Sequence, residues 1–130
     1  MKYVLGAMFD LELTRLCLIL KKTPTWQAGQ YNLVGGKIED GETGNQAMAR
    51  EFLEETSVET SPEDWIPVVT SKGPDFTIDV FAISSEDIDF VMTTTDENVE
   101  IFHLENLPHN LVHQTDEYIK RAIKAIRTRA

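Results

Sequence analysis

Glu51, Glu54 and Glu55 lie within a few residues of one another in the stretch Ala49-Arg50-Glu51-Phe52-Leu53-Glu54-Glu55-Thr56. Spacings of three and four residues bring side chains together on one side of a helix. Like charges so placed cost about 0.2–0.5 kcal/mol per pair. Glu54 and Glu55 also fall in the last helical turn, where the macrodipole disfavours anions by a further ~0.3–1 kcal/mol each. A sequence that accepts both costs has a use for the cluster. The simplest use is a bound hard cation, which takes oxygen ligands.

Such a site needs a helix with a defined start and a surface to pack against. Thr43 is suited to cap that helix, and Gln46 three residues later completes a capping box. The predicted helix runs over 44–56, with Ala49, Phe52 and Leu53 as an apolar flank beside the acidic one. Upstream, apolar runs at 2–9 and 15–22 read as strands joined by a loop at 10–14. Residues 23–32, rich in Pro, Gly and polar types, read as a loop. Residues 33–38 lead through Gly35-Gly36 to a turn at Glu39-Asp40-Gly41. Downstream, 65–70 and 76–83 read as strands around a Gly73-Pro74-Asp75 turn. A strand over 99–104 follows the acidic loop Asp96-Glu97-Asn98. Apolar residues at helical spacing predict a last helix over 111–127. The expectation is one α/β domain over 1–130, a mixed sheet with two main helices, with no repeat or linker.

Composition narrows the function. The chain has 130 residues, 42% hydrophobic and 26% charged, with a formal net charge of -10. That acidity argues against a broad electrostatic grip on nucleic acid or on an anionic membrane. It leaves room for a phosphorylated substrate, because a bound divalent metal inverts the local sign. No apolar run approaches the length of a membrane span. The N-terminal sequence lacks a signal-peptide pattern, so a cytoplasmic location is the default expectation. The single cysteine, Cys17, lies in Arg-Leu-Cys-Leu-Ile-Leu and reads as a buried small hydrophobe. His103, His109 and His113 do not form a helical ligand pair.

Written out, the central block is Gly36, five residues, Glu42, seven residues, then Arg50-Glu51-Phe52-Leu53-Glu54-Glu55-Thr56-Ser57-Val58. It resembles the Nudix box, Gly-x5-Glu-x7-Arg-Glu-U-x-Glu-Glu-x-Gly-U, where U is a bulky aliphatic or similar residue. Every position matches except the last glycine, which is Ser57. A glycine there would serve as a left-handed helix C-cap, so the departure bears on the backbone more than on the chemistry.

The resemblance implies a Nudix-type α/β/α sandwich and hydrolysis of a nucleoside diphosphate linked to a further moiety, with Mg²⁺ as cofactor and Mn²⁺ as a possible substitute. Glu54 and Glu55 are then the paired metal carboxylates, and Glu51 a further ligand or the general base. Arg50 would orient the glutamates, with Glu42 as its second partner. The Gly35 carbonyl would be a ligand, Gly36 would let the backbone come close, and Lys37 would neutralise phosphate or pair with an acid. In the acidic loop, Glu97 is the candidate base or extra ligand, with Asp96 behind it; the alternative is a solvated loop acid.

Specificity lies outside the box. Asn32 resembles the base-reading asparagine of MutT-type members, or else stabilises a turn. Trp26 and Tyr31 either stack a nucleobase or anchor their loop. Asp116 and Tyr118 resemble part of an acidic segment in oxidised-purine hydrolases, from which Thr115 departs. The implied partner is a small nucleotide, bound by a monomer or homodimer. Triphosphates are the leading substrates. ADP-ribose, other nucleoside diphosphate sugars and dinucleoside polyphosphates are the runners-up, and a non-catalytic nucleotide sensor is the alternative of another class.

Overall fold

The computed structural model describes residues 1–129. In chain order its elements are β1 (Lys2–Phe9), β2 (Arg15–Leu20), β3 (Tyr31–Asn32), β4 (Val34–Lys37), α1 (Gly44–Thr56), β5 (Ile66–Lys72), β6 (Thr77–Ser84), β7 (Val99–His103) and α2 (Thr115–Arg129). The strands form one mixed sheet with β1 as its axis. One edge of β1 pairs in parallel with β6 along its whole length. The other edge pairs antiparallel with β4 from Tyr3 to Gly6, then meets β2 at Phe9. β2 carries β3 and β7, and β6 carries β5.

Alternation along the central strands sends side chains to two faces. Val4 and Met8 of β1, Cys17 and Ile19 of β2, and Phe81 and Ile83 of β6 pack with Ala47, Met48 and Phe52 of α1. Their neighbours Ala7, Phe9, Leu16, Leu18, Val80 and Ala82 pack with Tyr118, Ile119 and Ala122 of α2. Strands buried on both faces read as unbroken apolar runs, which is why Arg15–Leu20 shows no polar alternation. The result is the expected α/β/α sandwich, with Cys17 buried in it. Among the described residues no helix is long and apolar enough to cross a membrane.

Local signals set both ends of α1. The Thr43 hydroxyl accepts from the Gln46 N–H, and the Gln46 side chain accepts from the Thr43 N–H, closing the capping box. At the other end Ser57 adopts φ 69° and ψ 3° and donates its N–H to the Leu53 carbonyl. The motif's usual glycine geometry is therefore kept by a residue that pays a steric cost for it.

The last helix begins at Thr115, not at 111. Tyr31 donates its N–H to the Asn110 carbonyl and accepts from the Val112 N–H. Residues 110–112 are thus tied beside β3, and Gln114 turns through φ 77° before the helix starts. Helical spacing alone does not reveal that competing backbone pairing. Smaller differences have similar causes: β2 stops at Leu20, and the 23–32 loop contains a helical turn at Thr25–Gln27 as well as β3.

Two stability outcomes follow. Ser57→Gly removes the left-handed strain and raises stability by about 0.5–1 kcal/mol in urea denaturation. The second concerns Asp10, which closes the β1–β2 loop. Burial alone would raise its carboxyl, but bonds from the Thr14 hydroxyl (2.5 Å), the Arg15 N–H (3.0 Å) and the Thr14 N–H (2.7 Å) hold it at about 2. A carboxylate depressed in the folded state stabilises above its unfolded pKa of about 4 by roughly 2 kcal/mol, and that contribution is lost as pH falls from 4 to 2. The stability gap between the natural protein and Asp10→Asn therefore closes over that interval in pH-dependent urea melts.

Candidate active site

Arg50 is the hub of the acidic cluster. Its Nε donates to Glu42 Oε2 at 2.7 Å, while Nη2 donates to Glu42 Oε1 at 3.0 Å and to the Lys37 carbonyl at 2.9 Å. Nη1 stands 3.3 Å from Glu54 and 3.4 Å from Glu51, and Glu39 lies 3.2 Å from Nε. The two-pronged Glu42 pair is the geometry a planar guanidinium favours. Together these contacts tie the turn after β4 to the middle of α1. They also supply the positive charge that lets the glutamates stand together. Glu42 is held low by its hydrogen bonds from Arg50 and the Glu39 backbone.

The three helix carboxylates differ in setting. Glu54 is largely exposed, at 57%. Glu51 lies under the strand, with its carboxylate packed on Gly36: a Cβ there would stand 2.1 Å from Glu51 Oε2. A Cβ at Gly35 would stand 1.9 Å from the Val4 carbonyl oxygen in β1. The glycine pair thus admits a sheet contact on one side and a carboxylate on the other. Glu55 is the most confined. Its Oε2 is buried and has no hydrogen-bond partner. Burial, then the charge of Glu51, raise its carboxyl to about 7, against the opposing charge of Lys21 and a backbone hydrogen bond from Gly35. Burial likewise raises Glu51.

An orphaned, desolvated carboxylate oxygen beside two further glutamates fits a hard cation, whose charge would reverse the penalty of ionising it. Among the described residues no group of three His, Cys, Asp or Glu side chains is placed to hold a metal ion by itself. Mg²⁺ is commonly held by one or two carboxylates, with waters and substrate phosphates as its other ligands.

Glu97 is placed differently from the expectation. Lys21 Nζ donates to its Oε1 at 3.0 Å, and the Lys22 and Thr23 N–H groups donate to its Oε2 at 2.6 and 3.2 Å. Both oxygens are spent on clamping the loop that follows β2, so Glu97 is neither a free base nor a free ligand here. Its charge still reaches Glu55. Sequence reasoning passed over Lys21. The signal was present: Cys17, Ile19 and Lys21 share one face at strand spacing, and that face meets α1.

Beside the cluster lies a cavity of about 530 Å³, reached by Gly35 and Gly36 and walled by Tyr3, Leu5, Asn32, Leu33 and Tyr118. Trp26 stands at it, 66% exposed. Asn32 is buried in it with its amide fixed. Oδ1 accepts from the Leu33 N–H (2.7 Å) and the Thr115 hydroxyl (3.3 Å), and Nδ2 donates to Gln27. Tyr31 is not among the lining residues: its hydroxyl donates to Glu100 at 2.5 Å and its ring meets Phe102 edge-on. It anchors the strand rather than a base. Asp116 points from the exposed first turn of α2, outside the lining, and the exposed Lys37 side chain is likewise outside it. Gln27, Phe76 and His113 do line the cavity. The sequence marked none of them, because their loops are brought together only by the sheet.

A Nudix family model, described as the NUDIX domain, matches residues 4–122. The chain belongs to the Nudix family. The Nudix box of this chain is thus the segment from Gly36 through α1, with Ser57 in the place of its last glycine. Solved structures share the fold at low identity. A MutT/nudix family protein from Enterococcus faecalis is 18% identical with a TM-score of 0.81, covering 98% of this chain and 62% of that one. A MutT NUDIX hydrolase from Burkholderia pseudomallei is 21% identical with a TM-score of 0.74, covering 93% and 98%. The NUDIX domain of Shewanella oneidensis NrtR, complexed with ADP ribose, is 15% identical with a TM-score of 0.77, covering 97% and 88%. The chain therefore spans under two thirds of the Enterococcus protein but nearly all of the Burkholderia one. No curated protein matches the chain at a significant level.

The two glycines separate by experiment. Gly36→Ala forces the Glu51 carboxylate aside and lowers turnover at least tenfold while the melting temperature changes little. Gly35→Ala presses on β1 backbone and lowers the melting temperature by several degrees. Thermal melts set beside rate measurements on both variants check this.

Proposed function

We propose that this Nudix protein is a magnesium-dependent hydrolase that cleaves inside the pyrophosphate linkage of nucleoside or deoxynucleoside triphosphates, yielding the monophosphate and pyrophosphate. The observation that carries the reading is the buried, unpartnered Glu55 Oε2 beside the glycine pair that borders the cavity. A nucleoside in the cavity would extend its phosphates past Gly35 and Gly36 toward α1.

Glu54 and Glu55, with the Gly35 carbonyl, would hold the cation. When bound it would neutralise charge on the phosphate oxygens and acidify a water. The chain's own groups do the remaining work. Glu51, made more basic by burial, accepts the proton as water oxygen bonds to phosphorus and the bridging P–O bond breaks. Arg50 keeps Glu51 and Glu54 in position from its anchor on Glu42. Asn32, whose Oδ1 accepts from Leu33 and Thr115 and whose Nδ2 donates to Gln27, has one Nδ2 hydrogen left to offer the base.

One observation favours a second reading within the same chemistry. The NrtR domain, complexed with ADP ribose, superposes on nearly the whole chain, so ADP-ribose and other nucleoside diphosphate sugars are the next substrates. A panel of triphosphates, diphosphate sugars and dinucleoside polyphosphates with Mg²⁺ separates the readings. Pyrophosphate release from triphosphates is the expected result, and release of sugar phosphate alone would favour the second. Nucleotide binding without turnover would instead indicate a sensor. Glu54→Gln is expected to lower turnover at least ~10²-fold, the scale of losing a charge-stabilising contact; full activity in that variant would refute the assignment.

A further inference from the structure

Gln27 ends a chain of hydrogen bonds that can run in one direction only. The Leu33 backbone N–H can donate but not accept, and it lies 2.7 Å from the Asn32 amide. The atom it meets must therefore be the oxygen, Oδ1. Thr115, buried at the start of α2, adds its hydroxyl to the same oxygen at 3.3 Å. Asn32 Nδ2 is left facing Gln27 at 3.2 Å. That nitrogen carries hydrogens and cannot accept, so Gln27 must meet it with Oε1. Gln27 is then left with Nε2 and its two hydrogens, for which no partner occurs among the described residues.

The loop that carries Gln27 is closed at its base. The Gly29 N–H donates to the Lys21 carbonyl and the Lys21 N–H to the Gln30 carbonyl, both at 2.9 Å. Gln27 itself donates its N–H to the Pro24 carbonyl and accepts from the Gln30 N–H. Asn32 and Gln27 both line the cavity. One Nδ2 hydrogen of Asn32 and the Nε2 hydrogens of Gln27 remain, so this amide pair offers donors and no acceptor. Tyr3, Asp75 and His113 also line the cavity and can accept, so the donor character is local to the pair. A carbonyl oxygen has two lone pairs, enough for one hydrogen from each amide. An exocyclic amine in its place would set donor against donor and leave both amides unsatisfied, which a buried site penalises.

We infer that Gln27, with its polarity set through Asn32, selects for a base that turns a ring carbonyl toward this pair. This rests on the nucleotide-hydrolase reading and names the class of base within it. Bases with a carbonyl on that edge are favoured over adenine, which has none.

The α,β-methylene triphosphates of inosine and adenosine resist cleavage at that linkage and differ at C6, carbonyl against amine, with the N1 proton that goes with it. Each is titrated calorimetrically with magnesium. The inosine analogue is expected to bind at least about tenfold more tightly. Gln27→Glu keeps an oxygen for Asn32 Nδ2 and replaces the free donor with a second oxygen. It is expected to bring the two affinities within about twofold or to reverse their order, with the melting temperature little changed. A merely structural Gln27 would move both affinities together and leave their ratio as it was. An inosine analogue bound no more tightly than the adenosine one, or an unchanged ratio in Gln27→Glu, overturns the inference.

With hydrolysable inosine and adenosine triphosphates, kcat/KM is expected to follow the same order. The two proposals fail separately. Preferential binding of the inosine analogue with no turnover of any triphosphate supports the selection and overturns the hydrolase. Turnover with equal kcat/KM for the two triphosphates does the reverse.

Discussion

Like charge brought together on one helix is the constraint around which this structure is arranged. Glu51, Glu54 and Glu55 repel one another, and two of them are pushed toward the protonated form by burial. Arg50 is the counterweight, and it works because it is anchored. With Nε and Nη2 spent on Glu42 and the Lys37 carbonyl, Nη1 is left facing Glu51 and Glu54. A lysine could supply the charge but not the fork. What Arg50 does not reach is Glu55 Oε2. The protein's own groups leave that oxygen without a partner, and on the proposed reading a cation would satisfy it.

The sheet turns that helix into a site. β1 pairs with β4 on one edge and β6 on the other, so Gly35-Gly36 is pinned between the sheet's axis and α1. The carboxylates lie on the α1 side of this strand, and the cavity reaches Tyr118 of α2. On the proposed reading, a nucleotide's base would sit toward the cavity and its phosphates toward the carboxylates. Loops at distant points of the chain meet there because the sheet carries them: Trp26 and Gln27 between β2 and β3, Phe76 before β6, and His113 after the segment paired with β3.

How much of this was legible follows from how local each signal is. The capping box, the α1 span, the buried Cys17 and the Arg50–Glu42 pair are set by residues close in sequence, or by a motif with fixed spacing, and the structure shows all of them. The left-handed Ser57 was likewise implied by the glycine it replaces. The start of α2 was missed because the Tyr31 backbone competes for residues 110–112, a contact far away in sequence. Glu97 read as a free acid because nothing local shows that Lys21, Lys22 and Thr23 will gather on it. Tyr31 and Asp116 had suitable chemistry but point elsewhere, and Phe76 was read as a strand residue because a hairpin tip does not disclose what it will face.

The central claim is that the α1 carboxylates hold a divalent cation against a phosphate chain. Electron paramagnetic resonance titration of Mn²⁺, with and without a base-bearing α,β-methylene diphosphate, tests it most directly in the natural protein and in Glu55→Gln. The account predicts saturable Mn²⁺ binding that the diphosphate strengthens, and loss of most of that binding in the variant, whose fold is unchanged by circular dichroism. Equal Mn²⁺ binding in both proteins, indifferent to the diphosphate, would contradict it.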